Sequence, residues 1–484
     1  MTRRLRLVSC VGTLALTLVG TGARATESSF EYGRFGHVTV YVPARPPDSV
    51  ALFVSGDGGW NLGVTDMART LNDMGALVVG IDIRSYLATV ARSSDSCVSM
   101  AGDFENLSHA VQKQYGLPRY HVPVAVGYSS GATLIYALLA QAPVGTLAGG
   151  LSLGFSPDLM VRSTLCKGED LHYSTGEKGE FIFDPATKMR TPWIAMQGEI
   201  DQVVSPALTA SYVAKTPGAM LVSLPHVGHG YGKPANWETQ YRQSYGRLAA
   251  LGEQDSPVAS NVDDLPLVEI PASAAAPPAH EPDDPADLVA VLLTGDGGWA
   301  GLDQDLSTEL ASRGVPVVGL NSLKYFWRHR TQEETAEAVA RATRHALQRF
   351  GKTRVAFIGY SFGADVLPFT VNRLPADLIG RTASVNLLAL SQNADFEIKV
   401  ANWLPNAAAA TRGEPVAPEI AKLPSSIPTQ CFYGDGEKHD PCTSLPARIE
   451  QVQIGAGHHF SGDAAGLVEQ ILKLSATSAG HARP

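Results

Sequence analysis

Two short segments of this chain hold a serine between glycines: Gly127-Tyr128-Ser129-Ser130-Gly131 and Gly359-Tyr360-Ser361-Phe362-Gly363. A serine hydroxyl attacks poorly until a neighbouring base removes its proton, and that base needs a third group to hold it. Downstream of each segment an acid and then a histidine follow, each after a further apolar, strand-like run. The first set is Asp201 in WIAMQGEIDQ and His229 in LVSLPHVGHG. The second is Asp440 in TQCFYGDGEKHDPC and His458 in VQIGAGHHF, with Asp435 and Glu437 as other acids and His459 as the other base. Asp440 is preferred because it stands 239 residues after Asp201, and His458 because it follows Gly457 as His229 follows Gly228. The order serine, acid, histidine suits acyl transfer through a covalent intermediate. Ser361, Asp440 and His458 form one candidate catalytic triad, and Ser129, Asp201 and His229 form a second.

Acyl transfer also needs N–H donors for the developing oxyanion. The sequence GDGGW occurs at 56–60 and again at 295–299, each time directly after an apolar run. Loops so rich in glycine can turn backbone amides inward, so the amides of Asp296 and Phe362 are assigned to this role beside Ser361. Asp57 and Ser130 are their counterparts beside Ser129. The alternative is a structural turn packed by its tryptophan. Asp365, four residues after Ser361, is either a substrate contact or an acid favoured near a helix N-terminus. Lys324, Tyr325, Phe326 and Trp327 are either an aromatic rim facing lipid or buried core.

The elements that position these residues also come twice. VVGIDIRSY at 78–86 and VVGLNSLKY at 317–325 keep the 239-residue spacing of the two GDGGW copies, and the two serines are 232 apart. The chain is therefore a tandem duplication. Apolar strands alternate with amphipathic runs such as TDMARTLNDMG, QDLSTELASRG and the long TQEETAEAVARATRHALQRFG at 331–351. That alternation predicts the α/β class: two domains, each a mostly parallel sheet with helices on both faces. The expected divisions are a leader at 1–25, a first domain at 26–251, a polar linker at 252–264 and a second domain at 265–484. A proline- and alanine-rich excursion at 271–287 falls inside the second repeat as a loop.

The leader has a basic start (MTRRLR), a short apolar run and Ala23-Arg24-Ala25, which reads as a cleavable secretory signal. Export to an oxidising compartment agrees with two cysteines in each repeat, Cys97 with Cys166 and Cys431 with Cys442, for which pairing within each repeat is expected. Free buried thiols are the alternative. No CxxC pair has zinc-site spacing, so neither metal nor cofactor is expected. The net charge of −9 gives no footprint for nucleic acid, and no run in the mature chain is long enough to span a membrane.

With GDGGW, NSLKYFW, GYSFGAD and GAGHHF in place, the second repeat resembles the VirJ/AcvB family of periplasmic virulence-associated proteins, and the two-repeat arrangement is similar to its longer members. The resemblance implies tandem α/β-hydrolase-type domains and hydrolysis of aminoacyl-phosphatidylglycerol, chiefly the lysyl form, with Ser361 as nucleophile. An aminoacylated phospholipid at the membrane surface is then the partner. The first repeat is either a second active hydrolase or a substrate-binding or structural unit. Two further readings stand beside this one. One is a non-catalytic periplasmic factor of type IV secretion or T-DNA and protein transfer, contacting secretion components. The other is a peptidase or general carboxylesterase of the same fold.

Overall fold

A computed structural model describes residues 26–252, 262–273, 287–399, 413–436 and 441–477. The leader, most of the linker and of the proline-rich excursion, and the acids Glu437 and Asp440 lie outside the described residues.

The first repeat builds an eight-stranded sheet from β1 (Thr26–Tyr32), β2 (Gly36–Val42), β3 (Ser49–Val54), β4 (Ala76–Ile81), β5 (Val124–Tyr128), β6 (Gly149–Leu153), β7 (Trp193–Gly198) and β8 (Ala219–Leu224), in the order β1-β2-β4-β3-β5-β6-β7-β8. The second builds seven strands, β9 (Leu267–Ile270), β10 (Leu288–Leu293), β11 (Val317–Leu320), β12 (Arg354–Tyr360), β13 (Thr382–Leu388), β14 (Thr429–Asp435) and β15 (Glu450–Ala456), in the order β9-β11-β10-β12-β13-β14-β15. The two orders coincide once β1 is removed. In both, the outer strand beside β4 or β11 runs antiparallel and the rest are parallel. This is the arrangement of an α/β-hydrolase sheet. Strands β3 and β10 are buried throughout, as their unbroken apolar runs require of central parallel strands.

Helices cover both faces: α1 (Leu62–Asp73), α2 (Met100–Gln114), α3 (Ser130–Gln141) and α4 (Glu238–Gly252) in the first repeat, then α5 (Leu302–Ser312), α6 (Gln332–Phe350), α7 (Phe362–Val371) and α8 (Ala464–Thr477). The ends of α6 show how local sequence fixes an element. Thr331 and Glu334 form a reciprocal capping box, and Gly351 closes the helix in the left-handed conformation at φ 63°. No helix among the described residues is long and apolar enough to cross a membrane.

The repeated VVG segment has a steric explanation. A Cβ on Gly80 of β4 would stand 2.1 Å from Cζ2 of Trp60, and one on Gly319 of β11 would stand 1.9 Å from Cζ3 of Trp299. Each GDGGW tryptophan therefore packs directly against a glycine of the neighbouring strand, which pins the loop to the sheet. Disulfides join Cys97 to Cys166 and Cys431 to Cys442, each within one repeat.

The repeats meet along α2 and the loops after α2 and α3. Trp327 is buried, and its Nε1 donates to the Leu117 carbonyl at 2.8 Å while its ring packs on Tyr120. Lys113 stands over the same ring at 4.6 Å and pairs with Glu397 at 3.2 Å. Gln304 donates to the Val144 carbonyl at 2.7 Å. Tyr325 and Phe326 are buried as well, so these three aromatic residues are core and interface rather than a lipid-facing rim. Gly319→Ala is expected to destabilise the protein by about 1–3 kcal/mol through overpacking against Trp299. Thermal unfolding measures it, and an unchanged midpoint would mean that the ring is not held there.

Candidate active site

Both serines sit on a turn that only their neighbours make feasible. Ser129 (φ 56°, ψ −124°) and Ser361 (φ 52°, ψ −117°) have backbone angles that L-residues seldom adopt, at the junctions of β5 with α3 and of β12 with α7. A Cβ on Gly131 would lie 2.4 Å from the Val54 carbonyl oxygen, and one on Gly363 would lie 2.0 Å from that of Leu293. The helix can start against the central strand only because these residues are glycine. The backbone N–H of each serine donates across the sheet, to Leu153 and Leu388 respectively, both at 2.8 Å.

In the first repeat, the loops after β7 and β8 bring the three predicted residues into line. Ser129 Oγ is 2.9 Å from His229 Nε2, and His229 Nδ1 is 2.9 Å from Asp201 Oδ2. Burial alone would raise the Asp201 carboxyl. The Val204 amide, His229 and the Val203 amide together hold it below the usual carboxylate range. Gln197 also donates to Asp201 Oδ2 at 3.1 Å, a contact the sequence did not announce. An ionised Asp201 fixes the proton on Nδ1 and leaves Nε2 free to accept from the serine.

In the second repeat, His458 Nε2 is 2.8 Å from Ser361 Oγ. The neighbouring His459 is occupied otherwise, with its Nδ1 at 2.6 Å from the Tyr360 hydroxyl. Of the three candidate acids only Asp435 is described, and it lies exposed at the end of β14, where its carbonyl accepts from Gly457. The Cys431–Cys442 disulfide ties the far side of this acid-bearing loop back to β14.

The GDGGW loops lie against the serines, with Cβ sites on Gly56 and Gly295 at 3.0 Å from Ser129 Cβ and 3.7 Å from Ser361 Cβ. Each loop closes with an N–H to carbonyl bond, Gly59 to Gly56 at 2.9 Å and Gly298 to Gly295 at 3.1 Å. The two sites differ at the residue directly after the serine. Ser130 Oγ donates to Asp57 Oδ1 at 2.7 Å, whereas Phe362 packs on Phe326 at 5.0 Å between ring centroids.

Asp365 corrects the expectation of a substrate contact. It is buried and accepts from the Ser391 amide at 2.7 Å, anchoring the loop after β13, and it is not among the residues lining the cleft. Its counterpart Thr133 does the same work, donating to the Ser156 carbonyl at 2.7 Å. Burial pushes the Asp365 carboxyl well above the usual range, although the Ser391 bond opposes this.

Ser361 and His458 open onto a cleft of about 440 Å³ whose described lining includes Glu105, Glu169, Asp296, Asp303 and Asp305 and no lysine or arginine. Sequence reasoning missed Glu105, Glu169, Asp303 and Asp305. For Asp303 a signal was present: it lies on the apolar face of α5, 239 residues after Val64, which is core in the first repeat.

An α/β-hydrolase-type fold carrying a serine–histidine pair in each repeat defines the class of protein. The chain belongs to the bacterial virulence protein (VirJ) family, whose model matches residues 48–146 and 287–478 and so reaches into both repeats. None of the curated proteins matches. Among solved structures it is similar to the esterase domain of a Rhodothermus marinus protein (17% identity, 47% of this chain and 98% of that one, TM-score 0.32). It is also similar to an alpha-beta serine hydrolase homologue from Coxiella burnetii (18% identity, 46% and 96%, TM-score 0.31).

Burial, and after it the Asp296 charge, pushes the half-buried Glu105 carboxyl up to about 8, and burial raises Asp303 as well. A carboxyl raised by folding binds its proton more tightly in the native state. Its stabilising share is complete below the unfolded value and is lost as pH rises through the folded one. His109, lowered by burial to about 3, acts in the opposite sense but only below its unfolded value of about 6.5. The free protein should therefore lose thermal stability between pH 7 and pH 9, and Glu105→Gln should reduce that loss. Equal losses in both proteins would contradict the assignment to Glu105.

Proposed function

We propose that this protein is an exported serine esterase of the periplasm that hydrolyses the aminoacyl ester of aminoacyl-phosphatidylglycerol, chiefly the lysyl form. The observation that carries this reading is the Ser361–His458 pair lining a cleft rich in carboxyl groups. Lysyl-phosphatidylglycerol joins lysine to the lipid glycerol through a carboxylic ester, and its acyl group is cationic. An acidic cleft suits the acyl group, and a serine with a histidine base suits the bond.

His458, oriented by Asp440, takes the Ser361 proton as Oγ attacks the lysyl carbonyl. The oxyanion is met by the amides of Asp296 and Phe362. Protonated His458 then gives its proton to the departing glycerol oxygen, which releases phosphatidylglycerol and leaves lysine esterified to Ser361. Water, deprotonated by the same histidine, completes the cycle and frees lysine. Each turnover replaces a lipid carrying cationic lysine with an anionic one, which changes the surface charge of the membrane.

The test is lysine release from vesicles containing lysyl-phosphatidylglycerol by the mature protein and its variants. Ser361→Ala is expected to lower the rate by about 10³-fold or more, while Ser129→Ala retains most of it. Loss in Ser129→Ala alone would move the reaction to the first repeat. If neither substitution matters, the family's virulence role favours the non-catalytic secretion factor.

A further inference from the structure

The cleft at Ser361 is built by both repeats. Glu105 lies on α2 of the first repeat, yet its Oε1 stands 3.6 Å from the position of a Cβ on Gly297, within the GDGGW loop of the second. Pro143, Thr146 and Glu169 of the first repeat complete that wall. From the second repeat, Asp303 is 2% exposed and lines the same cleft, and its Oδ1 has no hydrogen-bond partner among the described residues. A buried carboxyl oxygen without a partner is costly unless a ligand supplies one.

We infer that the first repeat is a specificity element for the second: Glu105 of the first repeat and Asp303 of the second, which both line the shared cleft, bind the side-chain ammonium of the acyl group whose ester carbon Ser361 attacks. This rests on the esterase reading above and adds to it the residues that select the acyl group.

An ammonium presents three donors and one positive charge. It satisfies Asp303 Oδ1 and offsets the mutual repulsion of the cleft carboxylates. The groups facing Glu105 point the same way: Asp296 from the loop raises its carboxyl, and Tyr120, from the segment after α2, is itself raised by burial and by Glu105. Glu105 shares α2 with Lys113 of the interface already described, where Trp327 is clamped by Leu117, Tyr120 and Lys113.

The experiment measures binding rather than turnover, so that it survives a failure of the lipid assignment. Full-length mature Ser361→Ala protein is titrated calorimetrically with Nα-acetyl-lysinamide and with Nα-acetyl-norleucinamide, which lacks the ammonium. The lysine compound should bind at least tenfold tighter, Glu105→Gln should remove most of that preference, and Glu105→Asp should keep part of it. No preference in the parent, or one untouched by Glu105→Gln, overturns the proposal. Thermal unfolding of each variant separates a lost contact from a lost fold, and Asp303→Asn, which should likewise reduce the preference, provides a second reading from the second repeat. If the preference holds while the wild-type protein releases no lysine from vesicles, the cation site stands and the lipid-hydrolase reading falls.

Discussion

Everything at the two sites depends on one backbone contact, the approach of each glycine after the serine to a carbonyl of the central strand. Gly131 meets Val54, and Gly363 meets Leu293, at distances that leave no room for a side chain. That contact forces the serine into its unusual conformation, at a cost of about 1–3 kcal/mol for each turn. The sheet repays it, because the serine N–H is bonded to the next strand and the helix begins directly beneath the hydroxyl. The histidine loops of both repeats, and in the first repeat the Asp201 loop as well, then have a fixed point to converge on.

Much of this was legible in the sequence, for a physical reason. Turn chemistry is local, so GYSSG and GYSFG announce the elbow, and strand-then-loop spacing places His229 and His458 after their strands. The duplication did the rest, since the Gly-His pair common to Gly228-His229 and Gly457-His458 singles out His458 over His459. The Trp–Gly packing lay half visible in the paired GDGGW and VVG segments. Their constant spacing was plain, but the reason was not, because the contact crosses from one strand to another. The shared cleft was not legible at all: Glu105 reaches residues nearly two hundred positions away, and no periodicity encodes the docking of one domain on another.

The copies have diverged in chemistry at matched positions, two of them buried in both. Val64 is core in the first repeat, and Asp303 takes its place in the second with an oxygen left unbonded. Thr133 and Asp365 do one job with different groups, each tying the helix after the serine to the loop after the next strand. Ser130 and Phe362 do different jobs at one position. The first binds Asp57 beside its serine, and the second packs towards Phe326 and the domain interface.

The docking of Trp327 against Leu117 and Tyr120 has an evolutionary consequence. A duplicated domain usually drifts free of its parent, because each copy folds without reference to the other. Here the second copy has its indole buried in the first and its cleft walled by it, so neither can lose that face without exposing apolar surface. The pair has become a single inherited unit. Selection acting on the second serine's surroundings must therefore act on the first copy's surface as well, whether or not the first copy's own serine is ever used.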